Sequence, residues 1–436
     1  MNTIKKVLML SAIAGFFAAC SSDDDNSGSH GDNTPNGIIT SLTDPDYNAT
    51  DLKGRLGADI TLPAGEYTLT GKLAIPSGYT LTIEPGAVFK AATGGELATS
   101  IYIVAEQGGK INAVGTPEHP IRFTSGAASP APGDWGGILL CGRGQLVNPS
   151  GDLSGYTALT EVGDAIYGGN DPHDNSGHLE YVEIAYSGAR INTTKEFNNL
   201  TCYAVGDGTI LKNLYIHDGS DDNIEFFGGS VNVTNMMLVN SEDDTLDWCL
   251  GWTGSVTNCY ESREANFTNI TNGSGFMEGD GYFSDLGSTP GNTDHLSRPT
   301  FSNFTIVNKL PAGTNATAGD GTVYPLRAIM TLRTGCGLTL TNAKVIWTGA
   351  AEPSNGLLKI TDATGTGLPG KINIDMNYTG PAFAAGTGFT ITDGSPFPGS
   401  NIGTFATADF LGFQTQDPAA TGADTSVFAW TGYAFQ

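Results

Sequence analysis

Six carboxylates in one stretch have types and spacing that could do chemistry. Asp221, Asp222 and Glu225 are followed 22 residues later by Asp243, Asp244 and Asp247. If equivalent residues stack one rung apart in a sheet, like charges stand about 4.8 Å from each other, which is unfavourable. Three arrangements relieve this: the carboxylates fan into solvent, some take up protons, or a cation bridges them. Calcium takes oxygen ligands at roughly 2.4 Å, so one ion midway between two stacked carboxylates meets its distance. Two carboxylates facing a groove are also what a glycoside hydrolase needs, and these rungs offer many pairs without choosing one.

Other candidates are weaker. The loop 170–175 gathers Asn170, Asp171, His173, Asp174 and Asn175. Its oxygens could bind calcium or a ligand through Asp171 and Asp174, but it lacks the alternating spacing of an EF-hand, and turn chemistry alone accounts for Asx residues there. Trp252 lies near a bend and is the better exposed aromatic, a candidate ligand platform. Trp248 and Trp135 read as packing residues. His217 is expected to face outward beside Asn240. The chain shows no Ser-His-Asp order, phosphate-cradling glycine loop or His/Cys cluster.

The elements that position these residues follow from the same spacing. Ile224 falls on Leu246, Glu225 on Asp247 and Phe226 on Trp248 at a shift of 22; Val233-Thr234-Asn235 falls on Val256-Thr257-Asn258 at a shift of 23; and Asn235 falls on Asn213, again 22 back. A period of this length marks a stacked repeat. Short apolar-alternating runs closed by Gly, Pro, Asn or Asp recur from Leu62 onward, among them 79–84, 101–104, 110–114, 120–124 and 136–140. They predict an all-β chain folded as a right-handed parallel β-helix, a solenoid with three short strands per turn, loop insertions and end caps. Alternation then points Ile224, Phe226, Leu246 and Trp248 inward, and Glu225 and Asp247 outward.

Residues 38–379 form the β-helix in this reading, with 38–62 as a lead-in that covers the first edge, and 380–436 form a C-terminal cap of the same domain. Phe428 to Phe435 are expected to cover the final core. The largest insertion is 144–177, another is 189–199, and residues 261–300 and 310–325 are loop-rich.

Composition sets outer limits. The sequence has 436 residues, 60 of them glycine, only 15% charged residues, and a formal net charge of −25. Such a chain repels nucleic-acid phosphate and anionic lipid headgroups, so nucleic acid is not an expected partner. It tolerates cations, and it is compatible with a neutral polysaccharide or a surface protein. Lys5-Lys6, the apolar run from Val7 and the small residues before Cys20 read as a signal peptide over 1–19. The end of that run resembles the lipobox of bacterial lipoproteins, which implies that the Cys20 thiol is acylated and that the chain has a lipid anchor in a membrane. Residues 20–37 would be the acylated cysteine and a flexible polar tether. Ser21-Ser22-Asp23-Asp24-Asp25 resembles the surface-export signal of Bacteroidetes lipoproteins, which implies the outer membrane and exposure at the cell surface; a solvated linker is the competing reading. The five remaining cysteines, Cys141, Cys202, Cys249, Cys259 and Cys336, are odd in number and lack metal-ligand spacing. They read as buried thiols, with one disulfide left open.

Several phrases resemble a family of Bacteroidetes surface proteins with a right-handed β-helix, related in shape to the pectate-lyase superfamily. They are Leu81-Thr82-Ile83-Glu84-Pro85-Gly86, Gly133-Asp134-Trp135-Gly136-Gly137-Ile138, Tyr167-Gly168-Gly169-Asn170-Asp171, Asp174-Asn175-Ser176-Gly177 with Leu179-Glu180-Tyr181-Val182, and Asp221-Asp222 with Glu225-Phe226-Phe227-Gly228-Gly229. The resemblance covers roughly 60–260. It implies the fold and attaches no reaction. A lyase of this shape would use carboxylate-bound calcium to neutralise a uronate and a lysine or arginine as base. Arg190, Lys195, Lys212 and Arg263 are the nearest cations, and none sits in a recognisable motif. The expected function is therefore a non-catalytic glycan- or protein-binding or structural module. A calcium-dependent polysaccharide lyase or a glycoside hydrolase using the acidic rungs is the alternative.

Overall fold

In the computed structural model, described here for residues 37–93, 99–148, 152–153, 155–192, 195–270, 275–282, 294–317, 323–326, 328–350, 356–360, 371–380 and 410–435, the chain winds into a right-handed parallel β-helix. Cys20 and the leader lie outside the described residues, as does the tether apart from Gly37. Among the described residues the main sheet takes in 24 strands, and all of its ladders are parallel.

Two kinds of strand alternate along each turn. Long ones, such as Ile210–Gly219, Asn232–Ser241 and Ser255–Arg263, stack on one another, and short ones, such as Leu200–Tyr203, Ile224–Phe227, Leu246–Cys249 and Met277–Asp280, stack beside them. The register pairs Ile224 with Leu246, Glu225 with Asp247 and Phe226 with Trp248, as the 22-residue spacing requires.

Five of the long strands are bent at an asparagine. Asn213, Asn235, Asn258, Asn303 and Asn342 have φ of 52°, 57°, 65°, 57° and 51°. Asparagine enters this left-handed region more readily than other residues with a Cβ. The bend divides the long strand in two, which gives the turn its three sides. The amides also tie successive turns together: Asn235 Nδ2 donates to Asn213 Oδ1 at 2.8 Å, Asn258 Nδ2 to Asn235 Oδ1 at 3.0 Å, and Asn342 Nδ2 to Asn303 Oδ1 at 2.7 Å.

Inward residues stack on like residues. Leu179, Leu211, Val233, Val256, Phe301 and Leu340 form one buried column, and Tyr67, Phe89 and Phe123 stack at 4.9 and 4.7 Å in another. Each such side chain contributes roughly 1.5–3 kcal/mol by leaving water. All five body cysteines are buried, and none is in a disulfide.

Residues 38–62 meet the edge of the strands that follow as strands of the sheet themselves: Leu52–Leu56 pairs with Glu66–Ile75, Ile60–Leu62 with Thr80–Ile83, and Ile38–Ile39 with Leu52–Leu56. At the other end Phe410–Gln414 adds a strand onto Ile372–Thr379. The chain then folds back along the flank of the solenoid. Phe428, in the 3-10 helix Thr425–Thr431, packs on Met237, Val239, Tyr260 and Val307, with Val427, Tyr433 and Phe435 alongside. Phe428 to Phe435 thus cover an outer face in mid-solenoid and not the final core. The cause is that Met237, Val239 and Tyr260 are outward-facing yet apolar, so that face must be buried.

The insertion that follows Cys141 also covers an outer face. Its antiparallel hairpin, Thr157–Leu159 with Ile166–Gly168, lays Ala158, Val162, Ala165 and Tyr167 over Tyr102, Val104, Leu139, Cys141, Tyr203 and Phe227. Asp164 anchors it by accepting from Lys72 Nζ at 2.5 Å and from the Tyr102 hydroxyl.

Candidate functional site: a buried acidic ladder

The outer face of the short strands carries the ladder. One column runs Thr201, Glu225, Asp247, Glu278, Thr331 and Lys359. A second, at the preceding bend, includes Asn198, Asp222 and Asp244. Alternation does turn Glu225 and Asp247 away from the core, yet they do not reach solvent. Asp222, Glu225, Asp244 and Asp247 are only 6%, 5%, 4% and 4% exposed. Their neighbours Tyr203, Phe227 and Cys249 lie beneath Leu146 and Tyr167 of the insertion, so this face of the sheet is an interior. Asp221 and Asp243 are half-buried and stand outside the tightest group.

That group is Asp222, Glu225 and Asp247, whose nearest carboxylate oxygens lie within 4.8 Å of one another. Burial raises the Asp222 carboxyl well above its ordinary range, and Asp221, Asp247, Glu225 and Asp243 push it further. Burial likewise raises Asp247, with Glu278 adding to it and Arg333 opposing. Asp244 is raised by burial, then by Glu278 and Asp243, against Arg263. Asp221 is raised by burial and by Glu196, Asp243 and Glu161.

The donors fit a hard divalent cation. Oxygens bound to one calcium at 2.3–2.6 Å lie at most about 5 Å apart, which accommodates the observed spread. Asn198, fully buried, gives its Nδ2 to Glu225 Oε2 at 2.6 Å, while its Oδ1 has no hydrogen-bond partner. An orphaned amide oxygen on a residue bonded to Glu225 is a further candidate oxygen donor, and an unmade hydrogen bond in the interior is otherwise costly. Asp222 Oδ1 also accepts from the Asp244 backbone N–H at 3.0 Å, which fixes that carboxylate in place.

Four cations near the ladder are already engaged. Arg333 meets Glu278 Oε2 and Asp280 Oδ2, each at 2.6 Å. Arg263 is fully buried, donates to the Asp243 carbonyl and lies 5.2 Å from the Phe276 ring centroid. Arg190 pairs with Glu196 and Lys212 with Glu180, each at 2.9 Å.

The remaining candidates fall elsewhere. Trp252 is not an exposed platform. It is fully buried, stacks on Phe226 at 4.0 Å and 4°, and donates from Nε1 to the Val231 carbonyl at 3.3 Å. Its bend turns the ring into the core. His217 is not a surface ladder residue either. It is 9% exposed, with Nδ1 at 2.7 Å from Asp218 Oδ2 and Nε2 at 3.3 Å from Glu183 Oε1. Burial alone would lower its pKa, but these two carboxylates hold it up at about 9. Asp171 and Asp174 shape their loop: Asp171 Oδ1 accepts from the His173 backbone N–H at 3.0 Å, and the buried Asp174 accepts from Ser176 Oγ at 3.2 Å.

Sequence reading missed Asn198, Glu278, Asp280 and Arg333. Met277-Glu278-Gly279-Asp280 does repeat the in-out pattern of Leu246-Asp247-Trp248-Cys249, but an insertion stretches the spacing to 31 and hides the register.

A family model for the pectate-lyase-like β-helix domain matches residues 54–371. The chain belongs to this family. This pectate-lyase-like β-helix protein is also similar to a solved structure, titled the crystal structure of the Agl-KA catalytic domain, at 14% identity and a TM-score of 0.35 over 83% of the chain. It spans 62% of the length of that structure's chain. No curated protein matches it.

Proposed function

We propose that this pectate-lyase-like β-helix protein is a surface lipoprotein, anchored through Cys20 in the outer membrane, that binds a glycan or a partner protein without catalysis. Asp222, Glu225 and Asp247, with Asn198, hold a structural calcium ion in this reading. One observation carries it: the carboxylates that would do acid-base or lyase chemistry are buried at 4–6% exposure. A polymer substrate must reach its catalytic groups, and a structural cation need not be reached. The bound ion would neutralise charge that the neighbouring guanidiniums leave uncompensated, and so fix the inserted segments on the sheet.

The test incubates the soluble body, residues 38–436, with a panel of acidic and neutral polysaccharides, with and without calcium. The expected result is no unsaturated or new reducing-end product. Product that forms and is lost in Asp222→Ala would overturn the reading in favour of a calcium-dependent lyase or a hydrolase.

A further inference from the structure

The bend of the long strands places one residue per turn in the left-handed region, and the column reads Tyr181, Asn213, Asn235, Asn258, Asn303 and Asn342. Tyr181 breaks the pattern. It holds φ of 52°, where a bulky side chain is an outlier and asparagine is not. Its half-buried ring meets Trp430 of the returning tail edge-on, with centroids 5.6 Å apart and planes at 82°. An aromatic pair therefore stands at one end of a row of amides that recur every rung, about 4.8 Å apart.

Beside that row lies a cleft of about 440 Å³, lined by Asn235, Asn258, Asn303 and Asn342 and, from the tail, by 421–424 and Val427. Its lining is polar, and it includes no lysine or arginine. The ladder uses one N–H and one lone pair of Asn235, which leaves a second of each for a ligand. Uncharged donors and acceptors at a regular spacing, next to aromatic faces, suit repeated hydroxyl groups on a chain of apolar-faced rings. The acidic character of the whole molecule, at −25, and Asp424 in the lining disfavour an anionic polymer.

We propose that this edge is a binding track for a neutral linear polysaccharide, with Tyr181 and Trp430 as the ring platform and the amides of Asn235 and Asn303 reading hydroxyls on either side of Asn258, whose amide the tail backbone at Asp424 takes up. The proposal rests on the glycan-binding half of the function above and gives it a site and a substrate class.

Isothermal titration of the soluble body with cellohexaose, mannohexaose, xylohexaose and maltohexaose tests it. At least one should bind, and Tyr181→Asn should weaken that binding about tenfold, the scale of one lost aromatic contact. Tyr181→Asn installs the residue that the following turns use at this corner, so its melting temperature should hold or rise, which separates lost binding from lost folding. Trp430→Ala should weaken the same ligand. Binding that survives both substitutions overturns the track and leaves glycan recognition to another face. Binding of none of the four overturns the track and the glycan half of the function together.

Discussion

A Phe428→Ala variant should lose roughly 3–5 kcal/mol of docking free energy, the usual cost of truncating a buried phenylalanine. Phe428 is fully buried although it lies in the C-terminal tail, far in sequence from Met237, Val239, Tyr260 and Val307, on which it packs. The tail is also held by polar pairs between its backbone and side chains at or near the asparagine column. Asp424 N donates to Asn258 Oδ1 at 2.7 Å, Thr421 N to Asn342 Oδ1 at 2.6 Å, and Ala423 N to Thr305 Oγ1 at 2.9 Å. Those bonds exchange with water at a net value of only about 1 kcal/mol each, so the apolar contact decides whether the tail stays. In a solenoid each turn contacts mainly its neighbours, so the tail should release as a local unit before the body unfolds. Limited proteolysis should cut Phe428→Ala within the tail under conditions that spare the parent protein, and the exposed Met237–Tyr260 face should bind a hydrophobic dye. Equal protease resistance in the two proteins would remove the tail's role.

The second large effect is at Trp252. Its ring stacks on Phe226 and lies 5.9 Å from Phe301 and 6.4 Å from Trp248. Trp252→Ala should cost about 3–5 kcal/mol in urea unfolding, through lost transfer free energy and the cavity left among these rings. Trp252→Phe keeps the stack but strands the Val231 carbonyl, at about 1–3 kcal/mol. A surface sugar platform would behave the other way, with Trp252→Ala leaving stability near that of the parent while affinity falls.

The difference between these residues and the ladder shows what the sequence could reveal. The turn was legible because Ile224, Glu225 and Phe226 recur as Leu246, Asp247 and Trp248, and because stacking requires like residues to superpose. The asparagine corners were legible for the same reason at Asn213, Asn235 and Asn258. Burial of the outer faces was not, since it depends on segments that occur once. A signal did exist for the tail: Met236-Met237-Leu238-Val239 is apolar without alternation, the pattern of a strand covered on both sides. No comparable signal marks Glu225 and Asp247. An insertion from before the acidic repeat covers their strand neighbours Phe227 and Cys249, and carboxylates on an outward position read as solvated until that insertion is placed. Trp252 was misplaced because alternation fails at a bend, where Gly251 takes φ of 83° and redirects the next side chain.

We propose that the acidic ladder is a closed cation site. In the folded, ion-free protein Asp222, Asp244 and Asp247 have raised pKa values, so the folded state binds more protons than the unfolded state over that range. Ion-free stability should therefore increase as pH falls from neutrality toward 5, where protons replace the missing charge, and decrease as pH rises. Calcium supplies the same neutralisation at pH 7 and should lose its advantage at pH 5. The decisive measurement is the melting temperature of the soluble body at pH 7.5 in millimolar calcium against EDTA. A site filled to a hundred times its Kd adds about 2.7 kcal/mol, so calcium should raise the melting temperature by several degrees. Asp247→Asn should abolish that difference. A melting temperature identical in calcium and EDTA would contradict the account.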